Sequence, residues 1–299
     1  MKTDPSVTIQ IRGGIGNQLF MYAMVRRLSL VNSVPLYLET HSGFQGDYFQ
    51  RDYGLNVFNI SGYEIVTERR SNLRRRGTIV ANRMLPFSRR GFFREEPGRF
   101  DQRFLDLKVG RPVFLEGYWQ DERYFADIRS VLQCDLKLLR QHSDAHESLA
   151  RKMRGSESVA VHVRQLQGPA GIEQPSDATK SLPGEYYRSA VQRIKERVPN
   201  PEFYLFSDSS SVAAIPGADE SLTRIENTGP DAQYDDLFLM SQCRHFVLAN
   251  STFSWWGAWL GKMQESMIVS PAMREWGQLV QIPDEWHALE WSRKNGLSN

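Results

Sequence analysis

The chain has 299 residues, of which 40% are apolar and 24% charged, and its formal net charge is +2. This length favours two domains or one large α/β domain, and it can bury a core without disulfide or metal staples. The near-neutral charge argues against a nucleic-acid partner. Only two cysteines, Cys134 and Cys243, are present, and neither has zinc-finger neighbours. No run approaches the ~18 apolar residues of a membrane span.

Both cysteines read as buried free thiols, which suits a reducing cytoplasm. The first residues, MKTDPSVTIQIRGG, show no charged-then-apolar leader and pass directly into a strand pattern, so a cytoplasmic protein is expected.

In chain order, residues 7–11 are a β-branched strand run, followed by Gly13-Gly14 and a helix pattern over 17–32. Residues 34–38 and 113–115 read as further strands, and 121–132 as a helix. The second half predicts strands at 158–163, 203–206, 245–248 and 267–269, the last in the chain. Helices are expected between them at 183–198, 235–242 and 252–260. Strand–helix alternation of this kind predicts parallel-sheet α/β architecture. It occurs twice, around a polar segment at 139–158, which gives domains 1–150 and 151–299.

Two segments look irregular. Residues 69–103 carry eleven arginines, which fit either a solvated surface or an anionic partner such as a membrane leaflet bearing a lipid-diphosphate acceptor. Residues 165–183 are rich in Gly, Pro, Ser and Gln and read as a functional lid or a disordered loop.

Four places combine residue types that can carry chemistry. Gly13, Gly14, Gly16, Asn17 and Gln18 lie between a strand and a helix, where backbone amides attract anions; a plain tight turn is the alternative. His162 and Arg164 stand at the end of a buried strand run, where open α/β sheets bind ligands, and a guanidinium suits phosphate oxygens. A core histidine and a structural ion pair would account for them equally well. Asn250, Ser251, Thr252, Phe253 and Ser254 open a helix at a strand exit and offer hydroxyls and amides to an anion. Trp255 and Trp259, one turn apart, should share a core-facing side. Asp235 and Asp236 fit a helix first turn, or a carboxylate accepting hydrogen bonds from a guanine edge. No D-x-D sequence occurs, so the common way of holding a metal against a sugar nucleotide is missing. Neither metal nor cofactor is expected.

Taken together, GGIGNQLFMYAMVRRLS, LEGYWQDERYF, VAVHVR, FYLFSDS and YDDLFLMSQCRHFVLANSTFSWWGAWLG fall in the order of the α-1,2-fucosyltransferase family, glycosyltransferase family 11. The chain resembles that family over most of residues 7–270. The resemblance implies a GT-B-like α/β fold, with two Rossmann-like domains facing across a cleft. The first would be the acceptor side and the second the GDP-sugar side. It implies inverting transfer of L-fucose from GDP-β-L-fucose to the 2-hydroxyl of a galactose-containing glycan, such as a lipid-linked one.

By the same resemblance His162 would touch the base and Arg164 the diphosphate. Asp235 or Asp236 would read guanine. Asn250 and Ser251 through Ser254 would line the donor, with Asp208 of the FYLFSDS segment nearby. Gly14, Gly16, Asn17 and Gln18 would approach the diphosphate from the first domain. Tyr118, Trp119 and Gln120 are expected to hold the acceptor, and Glu116 and Asp121 are the candidates for the base.

One departure stands out. The family shows H-V-R-R-G-D-Y, whereas this chain reads His162-Val163-Arg164-Gln165-Leu166-Gln167-Gly168. The second guanidinium is absent; Arg12 is a possible substitute for it. Another GDP-sugar, another linkage, or a non-catalytic nucleotide-sugar or glycan-binding module is therefore a competing expectation. A bacterial enzyme of surface-polysaccharide assembly, at the inner face of the membrane, is the expected setting.

Overall fold

The computed structural model describes residues 4–66, 82, 84–164, 182–207, 222–273 and 281–291. The chain divides into two compact units, Met1–Leu139 and Arg140–Asn299. The division falls ahead of the boundary expected at 150, because the polar segment there is a helix of the second unit.

The first unit holds a five-stranded sheet in the order β3-β2-β1-β5-β4, with every pairing among its described strands parallel. Its strands are β1 (Ser6–Gln10), β2 (Leu36–Glu39), β3 (Tyr63–Val66), β4 (Phe92–Arg94) and β5 (Pro112–Glu116). Helix α1 (Ile15–Asn32) follows β1 and is buried around most of its circumference, so its sequence is apolar without a single apolar stripe. The chain leaves it through Ser33, whose left-handed backbone returns N–H bonds to Ser29 and Leu30 carbonyls. Residues 121–132, expected as one helix, form two short 3₁₀ turns and then α2 (Arg129–Asp135). Asp121 caps the first turn through the Arg123 amide, and the extended φ at Phe125 breaks any continuous ladder. On α2 only Leu132 and Asp135 face inward, so Cys134 is exposed rather than buried as expected. Asp135 receives Tyr22 Oη at 2.7 Å and Arg26 Nε at 2.9 Å, tying α2 to α1.

The second unit holds a six-stranded parallel sheet, β11-β10-β9-β6-β7-β8. Its strands are β6 (Ser158–Val163), β7 (Glu202–Ser207), β8 (Leu222–Arg224), β9 (His245–Val247), β10 (Ile268–Met273) and β11 (His287–Trp291). Its helices are α3 (Asp144–Arg154), α4 (Gly184–Lys195), α5 (Ala232–Met240) and α6 (Thr252–Gly261). All six β6 residues are buried, as befits a central parallel strand covered on both faces. Tyr186, Tyr187, Ala190, Val191 and Ile194 give α4 a helix-spaced apolar face over Val159, Val161, Phe203 and Leu205. Strand β10 is not the last, since β11 pairs with it in parallel from Val269↔His287 to Met273↔Trp291.

Candidate functional site

In the second sheet the chain starts at the middle, on β6. It builds outward through β7 and β8, then returns to the other side of β6 with β9, β10 and β11. The reversal falls between β6 and β9, whose carboxyl ends are the place where such sheets bind ligands. His162 and Arg164 leave β6 at this point, and Asn250, Ser251 and Thr252 leave β9.

Arg164 Nη1 donates to Ser251 Oγ at 3.3 Å. The same oxygen accepts the Phe253 amide at 3.3 Å, so Ser251 caps α6 while holding the guanidinium. The imidazole of His162 is buried, and its ring centre lies 5.6 Å from that of Phe253. Burial, reinforced by the Arg164 charge, holds its pKa down to about 3, so the ring is neutral. Its Nδ1 has no hydrogen-bond partner among the described residues. A buried ring nitrogen without a partner is costly, and a ligand that pairs with it recovers that cost. Asn250, Ser251 and Thr252 are also buried here, whereas Ser254 turns its hydroxyl back onto the Ser251 carbonyl at 3.2 Å. The Tyr186 hydroxyl donates to Leu248 O at 2.8 Å and fixes the end of β9 from α4. Trp255 and Trp259 stack at 6.2 Å on one face of α6, as their spacing predicts.

Asp235 and Asp236 both sit in α5 and meet different neighbours. The Asp235 carboxylate is hydrogen-bonded to Arg140, and the Nδ1 atoms of His146 and His142 lie 3.4 Å and 3.8 Å away. Asp236 accepts from Asn227 Nδ2 at 2.8 Å. Burial raises its pKa to about 6, opposed by the Asn227 hydrogen bond and assisted by the charge of Asp235. Asn227 also pairs through Oδ1 with His146 Nε2 at 2.9 Å, which makes that nitrogen the proton-bearing one. His142 is stacked on Phe238 at 3.5 Å, and its pKa is lowered by burial and by Arg140.

Among the described residues, His142, His146 and Asp235 are the three side chains grouped closely enough to hold a metal ion, their ligand atoms lying within 4.8 Å. Arg140 already engages the same Asp235 oxygen, so the chain itself supplies the neutralising cation there. Neither histidine stood out in the sequence, because His142 precedes the Ser143 cap of α3 while His146 lies inside the helix, so no helical period links them.

In the first sheet the reversal falls between β1 and β5. Beyond β1 come Arg12 and the glycine turn; beyond β5 comes Gly117–Gln120. They meet: the Arg12 guanidinium lies 4.5 Å over the Tyr118 ring, and Gln120 Nε2 donates to Asn17 Oδ1 at 2.9 Å. Gly13 has φ +75°, and Gly14 caps α1 without a side-chain hydrogen bond, leaving the first helical turn to the backbone. Gly16 is buried, and Gln18 is committed to the turn itself. Its Nε2 donates to the Gly13 and Asp52 carbonyls, and its Oε1 accepts the Gly54 amide, all at 2.9 Å.

The candidate bases are each held by an arginine. Glu116 pairs with Arg94 at 2.9 Å, and Asp121 accepts the Arg123 amide at 3.0 Å and its Nε at 2.9 Å. A carboxylate that did not stand out in the sequence meets the loop that joins them. Glu95 accepts the amides of Tyr118 and Trp119, the latter at 2.8 Å, and its pKa is raised by burial. Gly117 has φ +154°, and a Cβ there would stand 2.2 Å from Glu95 Cβ, so only glycine permits this approach. Asp208 and residues 165–168 lie outside the described residues.

Two parallel α/β sheets, each with polar residues gathered at its reversal point, give a fold in which ligands bind beyond the carboxyl ends of the strands. The sequence pattern of the family "Glycosyl transferase family 11" matches residues 92–280, and the chain belongs to that family. It is a glycosyltransferase. Among curated relatives, an alpha-1,2-colitosyltransferase of Escherichia coli is 26% identical over 95% of this chain and 99% of the relative. The O-antigen biosynthesis glycosyltransferase WbnK of Escherichia coli is 26% identical over 89% and 93%. Among solved structures, the fucosyltransferase NodZ from Bradyrhizobium superposes with a TM-score of 0.52 over 86% of this chain and 92% of that one, at 12% identity. That likeness establishes the GT-B-type fold. No helix among the described residues is long and apolar enough to cross a membrane.

Proposed function

We propose that the chain transfers L-fucose, with inversion, from GDP-β-L-fucose to the 2-hydroxyl of a galactose-type residue in a glycan. One observation carries the donor reading. A neutral buried imidazole with a partnerless Nδ1 stands beside a guanidinium that is hydrogen-bonded to the capping serine of α6. In this reading the base meets His162 and the Asp236 carboxylate. The diphosphate meets Arg164, the hydroxyls of Ser251 and Thr252, and the first amides of α6.

The reaction breaks the bond between the anomeric carbon and the β-phosphate oxygen as the acceptor oxygen attacks the opposite face. The bonding pair departs on GDP, so negative charge grows where Arg164 and the helix start are aimed. These groups do electrostatically what a bound cation does in other donor sites. The acceptor proton leaves to a base; Glu116 or Asp121 can serve only after release from Arg94 or Arg123. The acceptor in this reading is an O-antigen-type glycan assembled in the cytoplasm beside the membrane.

A second donor has specific support. The colitosyltransferase relative spans nearly this whole chain, and colitose is fucose without its 3-hydroxyl. Incubation with GDP-fucose and with GDP-colitose, on lactose and related acceptors, separates the two, with linkage read by NMR. Thermal shift with GDP, ADP and UDP tests the base. Selective stabilisation by GDP is expected; equal stabilisation by all three would remove the guanosine assignment.

A further inference from the structure

Three side chains able to ligate a metal converge where α3 meets α5. His142 stands just before the Ser143 cap of α3, His146 lies in the first turn of that helix, and Asp235 lies in the first turn of α5. Asp235 Oδ1 is 3.4 Å from His146 Nδ1 and 3.8 Å from His142 Nδ1. With metal–ligand bonds of ~2.0–2.2 Å, neighbouring ligands of a tetrahedral ion stand about 3.3–3.6 Å apart. The Asp235–His146 edge already has that length, and the Asp235–His142 edge exceeds it by a few tenths of an ångström. An ion lies between atoms that face one another, so it needs no open surface around each of them.

Hydrogen bonding does not use up these atoms. The His146–Asp235 separation is beyond the ~2.7–3.2 Å of a good hydrogen bond, and His142 Nδ1 has no hydrogen-bond partner among the described residues. The tautomer of His146 is fixed from behind. Asp236 accepts Asn227 Nδ2 at 2.8 Å, which obliges Asn227 Oδ1 to be the atom that meets His146 Nε2, at 2.9 Å. The proton is therefore on Nε2, and Nδ1 keeps its lone pair 3.4 Å from a carboxylate oxygen. Two electron-rich atoms at that distance repel unless a cation lies between them. Metal-bound histidines are oriented by an outer hydrogen bond of this kind. Stacking on Phe238 holds the His142 ring in turn. The cation that Asp235 holds is the Arg140 guanidinium, and it has somewhere else to go: its Nη1 is 3.8 Å from the exposed Asp231 carboxylate. A swing onto Asp231 frees Asp235 and opens a way in from solvent. Two imidazoles with one carboxylate suit zinc and its neighbours in the first transition row, whereas magnesium and calcium take oxygen shells.

We propose that His142, His146 and Asp235 form a binding site for a zinc-type divalent ion, which displaces Arg140 and takes water as its fourth ligand. Asn227 is a positioning residue that acts through His146. The bound ion ties the segment entering the second unit to α5. The site stands independently of which sugar the chain transfers.

The test uses the full chain after dialysis against a chelator. Titration with Co²⁺ should bring up the visible bands of a tetrahedral ion, saturating at one equivalent, and Zn²⁺ should abolish them. Zn²⁺ should also raise Tm as its concentration rises, and Mg²⁺ should do neither. His142→Phe keeps a ring to stack on Phe238, and His146→Leu keeps the bulk; each should lose the bands, and either decides alone should the other fail to fold. Asn227→Ala releases the His146 tautomer and should weaken Co²⁺ binding about ten- to hundred-fold. Arg140→Gln removes the competing cation and should tighten it about ten-fold. Bands that persist in the histidine variants, a spectrum no stronger than that of hydrated Co²⁺, or an affinity indifferent to both Arg140 and Asn227 overturns the proposal. Absence of GDP-fucose turnover with the bands intact would strike the donor assignment only.

Discussion

Replacing Arg164 with alanine separates chemistry from stability. In the folded chain the guanidinium reaches Ser251 Oγ at 3.3 Å, longer than the ~2.7–3.2 Å of a good hydrogen bond. Its loss should therefore cost about 0.5–1 kcal/mol of folding stability, a shift of a few degrees in Tm. Its loss at the transition state is another matter. A donor aimed at a developing oxyanion contributes about 2.7–4 kcal/mol, or roughly 10²–10³ in kcat. Arg164→Ala should then lose that factor while unfolding almost where the parent does. Arg164→Lys keeps the charge without the planar fork and should fall between them. Because Ser251 both caps α6 and holds Arg164, the double variant with Ser251→Ala should be non-additive. Single-turnover transfer from GDP-fucose, with thermal unfolding alongside, reads both quantities. If kcat/KM stays within about three-fold of the parent, the assigned role of Arg164 is refuted.

Three further outcomes are expected. Asp236 has a folded pKa of about 6, above the ~3.9 of an unfolded aspartate, so the folded chain binds the extra proton between them and stability falls as pH rises through that window. Asp236→Asn should unfold later than the parent at pH 8 yet bind GDP about ten-fold more weakly, and the fall in parental GDP affinity below about pH 6 should vanish in it; an unchanged affinity would remove Asp236 from the base site. His162 has the opposite linkage, with a folded pKa near 3 against ~6.5 unfolded, so its contribution is complete above ~6.5 and is lost as pH falls towards 3. His162→Gln should flatten the decline of Tm between pH 6.5 and 4, and a parallel decline in both proteins would contradict the neutral, buried ring. Gly117→Ala places a methyl 2.2 Å from Glu95 Cβ and should cost more than about 2 kcal/mol in a denaturant titration; an unaltered midpoint would show that the loop rearranges freely.

The parts legible in the sequence were those whose cause is local. The β-branched runs of β1 and β6 declare buried strands, and Trp255 with Trp259 declare an inward helix face. The short strands β4 and β8, three residues each, carry too few side chains to show a period of two. Helix α3 was hidden by its charge, since only Ala150 and Met153 face inward. Among candidate site residues, His162 and Arg164 stand out because they lie at the end of a buried strand, and the α6 start because it follows one. Glu95 could not, because its meaning comes from Gly117 and Trp119, which fold onto it from β5, well along the chain. Gln18 and Ser254 look open in sequence, but the Gln18 side chain is bonded to the Gly13 and Asp52 carbonyls and the Gly54 amide, and the Ser254 hydroxyl to the Ser251 carbonyl.

The chain passes from one compact unit to the other at Leu139–Arg140, and each unit keeps an entire sheet of its own. A joint of that kind behaves as a splice point. Recombination between relatives there would exchange a whole sheet-bearing unit without cutting any strand pairing among the described residues. On the proposed reading, in which the second unit holds the donor, such a lineage changes the sugar it hands over while the glycan it decorates stays the same.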